Sequence, residues 1–340
     1  MTRSFLRRGR KKTVTLEKQG EERASLTTAY DATDPLVDIV AVHGLNGDAR
    51  KTFTDQNSGT FWLGDEEMLP RDLRGRCRVL TYGYPSSVAS ILGKTSSDRI
   101  LQHATTLVAE LVADRELEDA QERPIIFLCH SLGGIIVKRA LVYSAHRTGR
   151  MVEHLHSIYT STYGIMFFGT PHQGSASASL GMAAQRMIEA LVPSKLIDTN
   201  GQLLSALREG SEVLQDITDN FTPLIQRFRV YFFWEQEKTD FGVKYDYVVT
   251  ESSAAPILDN TDRAGLRIDH RNMLKFASRN SPGYKLIVAN ILRYSREAPA
   301  TISRRWISEK ELMNSIRRNE SMEAHPIIMQ GEDIGMKEKS

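Results

Sequence analysis

The sequence predicts an α/β protein, with a mostly parallel central sheet and helices on both faces. Three observations carry this. Short, solidly apolar runs recur along the chain, as in "DIVAVHG", "RCRVLTYGY", "RPIIFLCH", "YGIMFFGTP" and "VYFFWE". Strands without polar alternation are strands buried on both faces, which is the habit of parallel sheets. Between several of them, apolar residues return with helical period.

Residues 1–24 read as a flexible arm. Arg3, Arg7, Arg8, Arg10, Lys11 and Lys12 stand there with no acid among residues 1–16, which leaves the rest of the chain at −4 of a net charge of +2. That balance argues against a nucleic-acid-binding body and for a basic arm able to touch a membrane surface. The start has no apolar signal-peptide core. It is Arg-rich and acid-free, as mitochondrial presequences are, but its charges are clumped and its amphipathic period is poor. Cys77 and Cys129 both lie in apolar, strand-like context, which suits reduced thiols. A cytoplasmic protein is therefore expected, with mitochondrion and membrane periphery as alternatives. The longest apolar runs fall short of the roughly 18–20 residues of a membrane helix. Neither CxxC nor HExxH occurs, so neither a metal nor a cofactor is expected.

Asp38–Gly44 is the first strand, followed by the Gly/Asn/Asp loop "GLNGDARKTF". Arg76–Tyr84 is the second. From Ser97 to Leu117, Ile100, Leu101, Ala104, Leu107, Val108 and Leu111 mark a helix. Pro124 opens the third strand, and a helix with Ile135, Ile136, Ala140 and Leu141 follows Ser131, with Gly149 as its expected cap. Pro171 ends the fourth strand. Residues 175–228 read as broken helices, either a cap over an apolar pocket or ordinary peripheral helices. Val230–Glu235 is the fifth strand, "YDYVVT" is strand-like, and "NMLKFA" and "YKLIVANILRY" are terminal helices. A single α/β domain would thus cover residues 25–297, with a charged tail over 298–340.

Ligands of such sheets bind at the carboxyl ends of the strands, and chemistry-bearing residues collect there. Ser131 lies in C-H-S-L-G, a G-x-S-x-G pattern with Cys129 in place of the first Gly. A sharp strand–turn–helix needs small neighbours and holds its Ser at the mouth of the sheet. The amide of Leu132 at the helix start and that of Leu45 in the "VHGLNG" loop are the candidate oxyanion donors. A helix-capping Ser in an ordinary turn is the competing explanation. The base must come from a separate loop, and His270 in "RIDHRNM" fits the chain order Ser, acid, His. His43 and His130 sit within the motifs and read as structural; His172 reads as pocket wall. Glu235, directly ending a strand, is the favoured acid. Asp246 is the alternative, because "DYVVTESSA" looks like a D-x-h-V-P-x-x-S segment (h, apolar), and Asp240 and Glu251 stand behind it.

In their order, "DIVAVHGLNGDARKTF", "FWLGDEEMLPRDLRGRCRVLTYGY", "PIIFLCHSLGGIIVKRAL", "GIMFFGTPHQGS", "VVTESSA" and "DHRNMLKF" resemble the lipase-like serine esterases. That group includes the serine active site-containing protein and the hydrolase domain at the N-terminus of fungal NACHT proteins. The resemblance runs from Leu26 to Tyr294. It implies an α/β-hydrolase fold and a Ser-acid-His triad at Ser131, His270 and Glu235. The family often ends the acid's strand with Tyr-Glu-Thr, where this chain has Trp234-Glu235-Gln236. It implies cleavage of a lipid ester or another apolar acyl compound through an acyl-enzyme. A small-metabolite hydrolase, thioesterase or acyltransferase is the second reading, and a non-catalytic interaction module the third.

Overall fold

The computed structural model describes residues 24–86, 96–172, 186, 212–242 and 245–334. Strands β1 (Ser25–Tyr30), β2 (Val37–Val42), β3 (Cys77–Gly83), β4 (Ile125–His130), β5 (Thr162–Phe168), β6 (Arg229–Glu235) and β9 (Thr261–Leu266) form one sheet in the order β1-β3-β2-β4-β5-β6-β9. Only β1 runs antiparallel to its neighbour. Two short strands, β7 (Thr239–Asp240) and β8 (Tyr245–Asp246), make a separate ribbon.

The solid apolar runs are buried on both faces, as anticipated. Along β2, Val40 and Val42 join one core while Val37, Ile39 and Ala41 join the other, the period-2 alternation of a pleated strand. Helices α1 (Ser96–Leu117) and α2 (Leu132–Ala145) cover the first face. Helix α3 (Tyr284–Ile334) covers the second through Tyr284, Ile287, Ile291 and Tyr294. At the amino ends of the strands the fully buried Asp38 accepts from Arg78 Nε at 3.1 Å, from Arg123 Nη1 at 3.1 Å and from Arg115. Three guanidinium groups around one carboxylate offset the desolvation of a buried charge.

Several elements differ from the sequence-based expectation. β1 and β9 carry few buried side chains, and an edge strand need not be apolar. "NMLKFA" is not a helix: it follows the 3-10 turn His270–Asn272, and its Met273, Leu274 and Phe276 are buried in the core. Helix α2 stops at Ala145, before Gly149, and His146 Nδ1–H donates to the Val142 carbonyl at 2.7 Å. Helix α3 passes through residue 298 unbroken, because Tyr294, Ala298 and Ile302 form a buried stripe at i, i+4, i+8 among charged neighbours. Of the expected cap, residues 175–185 and 187–211 lie outside the described residues, as does the basic arm but for Ala24. Residues 212–221 are helical and bury Leu214, Ile217 and Phe221 in the first core.

The order of the central strands reverses at β2 and β4, whose carboxyl ends therefore border a crevice. A sharp turn from β4 into α2, carrying a serine, sits at that crevice. The arrangement is the α/β-hydrolase fold.

Candidate active site

Four strand ends meet at this crevice. Ser131 follows β4 and has φ 54° and ψ −123°. A non-glycine residue in such a conformation costs about 1–3 kcal/mol and persists only where its surroundings over-determine it. Here they do. Ser131 N–H donates to the Phe168 carbonyl at 2.8 Å, and the Ser131 carbonyl accepts from Thr170 Oγ1 at 2.8 Å. The neighbouring glycines are required by space. A Cβ at Gly133 would stand 2.4 Å from the His43 carbonyl oxygen, and one at Gly134 would stand 2.3 Å from Thr170 Oγ1.

His270, just past β9, brings its Nε2 to 3.1 Å from Ser131 Oγ. Its Nδ1 stands 3.3 Å from Glu235 Oε2, at the end of β6. That separation lets charge act, but the two atoms are out of line for a hydrogen bond, and neither has another partner. The carboxylate is fixed by its second oxygen, since Oε1 accepts from Val249 N–H at 2.7 Å. Ser131, Glu235 and His270 are all at least 98 % buried, so water screens their interactions weakly.

The alternative acid, Asp246, is not brought to this line. Its carboxylate accepts from its own neighbour Tyr247 N–H at 2.9 Å and faces Arg186 Nη2 at 4.0 Å. Asp240 accepts from Gly242 N–H and the Tyr245 hydroxyl, and Glu251 pairs with Arg263. The strand-like reading of "YDYVVT" gives way after Asp246 because Val249 turns inward and spends its amide on Glu235.

The other histidines hold the frame. His43 Nδ1–H donates to the Gly44 carbonyl at 2.9 Å, and its Nε2 accepts from Tyr84 N–H at 3.2 Å. Its ring stacks on Tyr84 with centroids 4.3 Å apart, and the Tyr84 hydroxyl donates to the His43 carbonyl at 2.8 Å. Burial pushes His43 down to about 4 from the ordinary 6.5. His130 Nε2–H donates to the His270 carbonyl at 2.9 Å, and burial with the neighbouring His270 pushes it down to about 3. His172 is wedged edge-on between Phe167 and Phe232, and burial holds it well below the ordinary value. The thiol of Cys129 is buried and pushed well above its ordinary range, which suits an inert packing residue.

The two expected oxyanion donors lie at the ends of adjacent strands, where Val42 pairs with Cys129. Gly44 packs so near the elbow that a Cβ on it would stand 2.7 Å from Ser131 Cβ. Leu45 follows directly, and Leu132 is the first residue of α2, where amides have no intrahelical partner. Both residues are buried.

Three contributors were not evident from the sequence. Gly169, at φ +57°, abuts the imidazole of His270. Thr170 ties down the elbow carbonyl, and Tyr84 ties down the His-Gly loop. The "FFGTP" run held a signal for the first two, since a Gly–Thr pair directly after a buried strand marks a backbone that approaches something closely. Among the described residues, no group of three or more His, Cys, Asp and Glu side chains could hold a metal ion, and no helix is long and apolar enough to cross a membrane.

No protein-family model matches the sequence. Among curated proteins, the chain is 26 % identical over 267 residues to Protein SERAC1 of Danio rerio, covering 73 % of this chain and 37 % of that protein. It is 24 % identical over 289 residues to Protein SERAC1 of Homo sapiens, covering 80 % of this chain and 40 % of the relative. The chain thus spans no more than about two fifths of the length of these relatives. Among solved structures, a carboxyl esterase from Bacillus coagulans superposes with a TM-score of 0.45 at 9 % identity, over 81 % of this chain and 94 % of that one. The α/β-hydrolase MGS-MChE2, from a lagoon-sediment metagenome, superposes with a TM-score of 0.44 at 14 % identity, over 80 % of this chain and 96 % of its own.

Proposed function

We propose that this chain is a serine carboxylic ester hydrolase acting on a lipid ester or another apolar acyl compound. We group it with the lipase-like serine esterases, the hydrolase domain of fungal NACHT proteins included, on the ordered motif set. The observation that carries the reading is the 3.1 Å approach of His270 Nε2 to Ser131 Oγ, with Glu235 behind the imidazole.

Ser131 Oγ attacks the ester carbonyl carbon as His270 Nε2 takes its proton. The carbonyl π electrons move onto oxygen, where the amides of Leu132 and Leu45 stabilise the oxyanion. The Glu235 carboxylate, 3.3 Å from Nδ1, favours the tautomer with its proton on Nδ1 and balances the cation formed in this step by charge. Collapse breaks the acyl–oxygen bond, and His270 returns the proton to the departing alcohol. Water then attacks the acyl-enzyme by the same route in reverse and releases the carboxylic acid. Thioester substrates, or an acceptor alcohol in place of water, would use the same groups.

A fluorophosphonate probe should label the wild type and leave Ser131→Ala unlabelled. The wild type should hydrolyse p-nitrophenyl acyl esters, with kcat/KM rising with chain length if the acyl pocket is apolar. Equal labelling of both proteins would remove Ser131 as nucleophile. A correctly folded wild type that neither labels nor turns over any ester would favour the non-catalytic module.

A further inference from the structure

At the far end of the sheet from Ser131 lies a second cleft, of about 670 Å³. Its floor includes Cys77, the first residue of β3, whereas the catalytic groups stand beyond the carboxyl ends of the strands. A strand of this length spans about 20 Å, so the two sites do not share residues.

The cleft is lined by Arg71, Arg74, Arg76, Arg279 and Arg296, against a single carboxylate, Asp72. They come from three parts of the chain: the turn leading into β3, the loop before α3, and α3 itself. Two of the five are already engaged. Arg71 pairs with Glu67, and Arg279 pairs with Asp72, which also accepts from the Tyr284 hydroxyl at 2.9 Å. Arg74, Arg76 and Arg296 are exposed at the rim and make no ion pair among the described residues. Asp72 is already shared by two donors, so it does little to neutralise them.

Arg74 has φ +53° and precedes Gly75 at φ +63°. An L residue there costs about 1–2 kcal/mol relative to glycine, and a bulky one is uncommon in that region. The chain nonetheless sets a guanidinium at this point, on the rim of the cleft. The rest of the lining is largely apolar, with Leu36, Leu73, Leu292 and Pro299.

We infer that this cleft binds a phosphoryl anion, with Arg74, Arg76 and Arg296 as its recognition residues. Guanidinium groups offer paired N–H donors that match the oxygens of phosphate, and three uncompensated ones leave room for the two or more negative charges of a phosphate ester. The apolar walls accommodate the carbon portion of the ester. The same chemistry is offered by a soluble phosphate compound and by a phospholipid headgroup.

The test uses the full chain and the variant Arg74→Gly/Arg76→Gln/Arg296→Gln. Glycine suits the φ of position 74, and the paired Arg71 and Arg279 are left in place, so the fold should survive. Thermal melting and p-nitrophenyl ester turnover check this. Two probes are used: inorganic pyrophosphate by titration calorimetry, and phosphatidylcholine vesicles with and without phosphatidic acid by co-sedimentation. The wild type should bind at least one, more weakly as salt is added, and the variant should bind it about tenfold less tightly or worse. Loss of pyrophosphate binding assigns a soluble phosphate compound. Loss confined to phosphatidic acid vesicles assigns a lipid headgroup. A wild type that binds neither probe, or a folded variant that binds as the wild type does, overturns the inference.

Discussion

Replacing Gly169 by alanine should displace His270, the proposed base, without altering any side chain of the proposed triad. The added Cβ would stand 2.7 Å from His270 Cε1, 2.8 Å from His270 Nδ1 and 3.1 Å from Met273 Sδ. Non-bonded carbon atoms sit at about 3.5 Å or more, so the imidazole must shift by about 0.8 Å. The contact from Nε2 to Ser131 Oγ, now 3.1 Å, has little room before it leaves hydrogen-bond range. A misplacement of this size should lower kcat by about 10²-fold. Alanine at φ +57° also adds backbone strain of about 1–2 kcal/mol. Gly59→Ala separates the two effects, because Gly59 has φ +73° and a Cβ there would meet nothing within 4 Å. It should lose similar stability and keep its kcat. Turnover of a short p-nitrophenyl ester, normalised by fluorophosphonate titration of active sites, gives kcat per competent molecule. Wild-type kcat in Gly169→Ala, or an equal loss in both variants, would refute the steric reasoning.

Glu235→Gln should cut kcat by about 10⁴-fold and leave the fold intact, because the amide carbonyl can still accept from Val249 N–H. Asp246→Asn, whose carboxylate faces Arg186, should stay within a few-fold in the same assay; the reverse ranking would move the acid to β8. Tyr84→Phe strands the buried His43 carbonyl and should cost about 1–3 kcal/mol in urea unfolding, with a smaller loss of kcat than Gly169→Ala. Burial lowers His43 to about 4 and His130 to about 3, beneath the ordinary 6.5. The unfolded chain then binds more protons than the folded one below about pH 6.5, so stability declines as pH falls from there toward pH 4 and below. In His130→Gln the amide can still donate to the His270 carbonyl but cannot titrate, so its Tm should fall less steeply with acidification. Identical acid slopes in the two proteins would show that His130 does not report this burial.

The strands and the elbow were legible because each carries a local signal. β2, β4 and β5 are mostly apolar runs, and Ser131 is followed by Gly133 and Gly134, which the turn requires. His270 was legible from chain order, standing after the strands in a loop of its own. Glu235 was harder to single out, since a strand-end carboxylate looks the same whether it meets a histidine or water. What distinguishes it is Val249 N–H, 14 residues away, and no local pattern encodes that meeting. Gly169 and Tyr84 act through contacts with partners about 100 and 41 residues distant in the chain. α3 hid for a different reason. Its buried stripe takes one residue in four, and the Arg and Glu between them make the segment look like a solvated tail.

Four buried histidines, His43, His130, His172 and His270, lie around Ser131, and the proposed reaction uses only one of them. His43 has both nitrogens committed to backbone groups, and His130 spends Nε2–H on the carbonyl of His270 itself. His172 lies between two phenylalanines. Burial keeps all three neutral at ordinary pH, with His43 at about 4, His130 at about 3 and His172 lower than its ordinary value. That neutrality bears on the proposed reaction. The rings of His130 and His270 are 5.1 Å apart, so a charged His130 would oppose an imidazolium at His270 by about 3 kcal/mol at an effective dielectric of about 20. Kept uncharged, His130 can hold the backbone of the base without raising the barrier to its protonation. In the proposed reaction, a cation on His270 would face the carboxylate of Glu235, 3.3 Å from Nδ1 and held in place by Val249 N–H. The burial that suits His130 to a structural task is therefore the same burial that would leave His270 free for the proposed role of base.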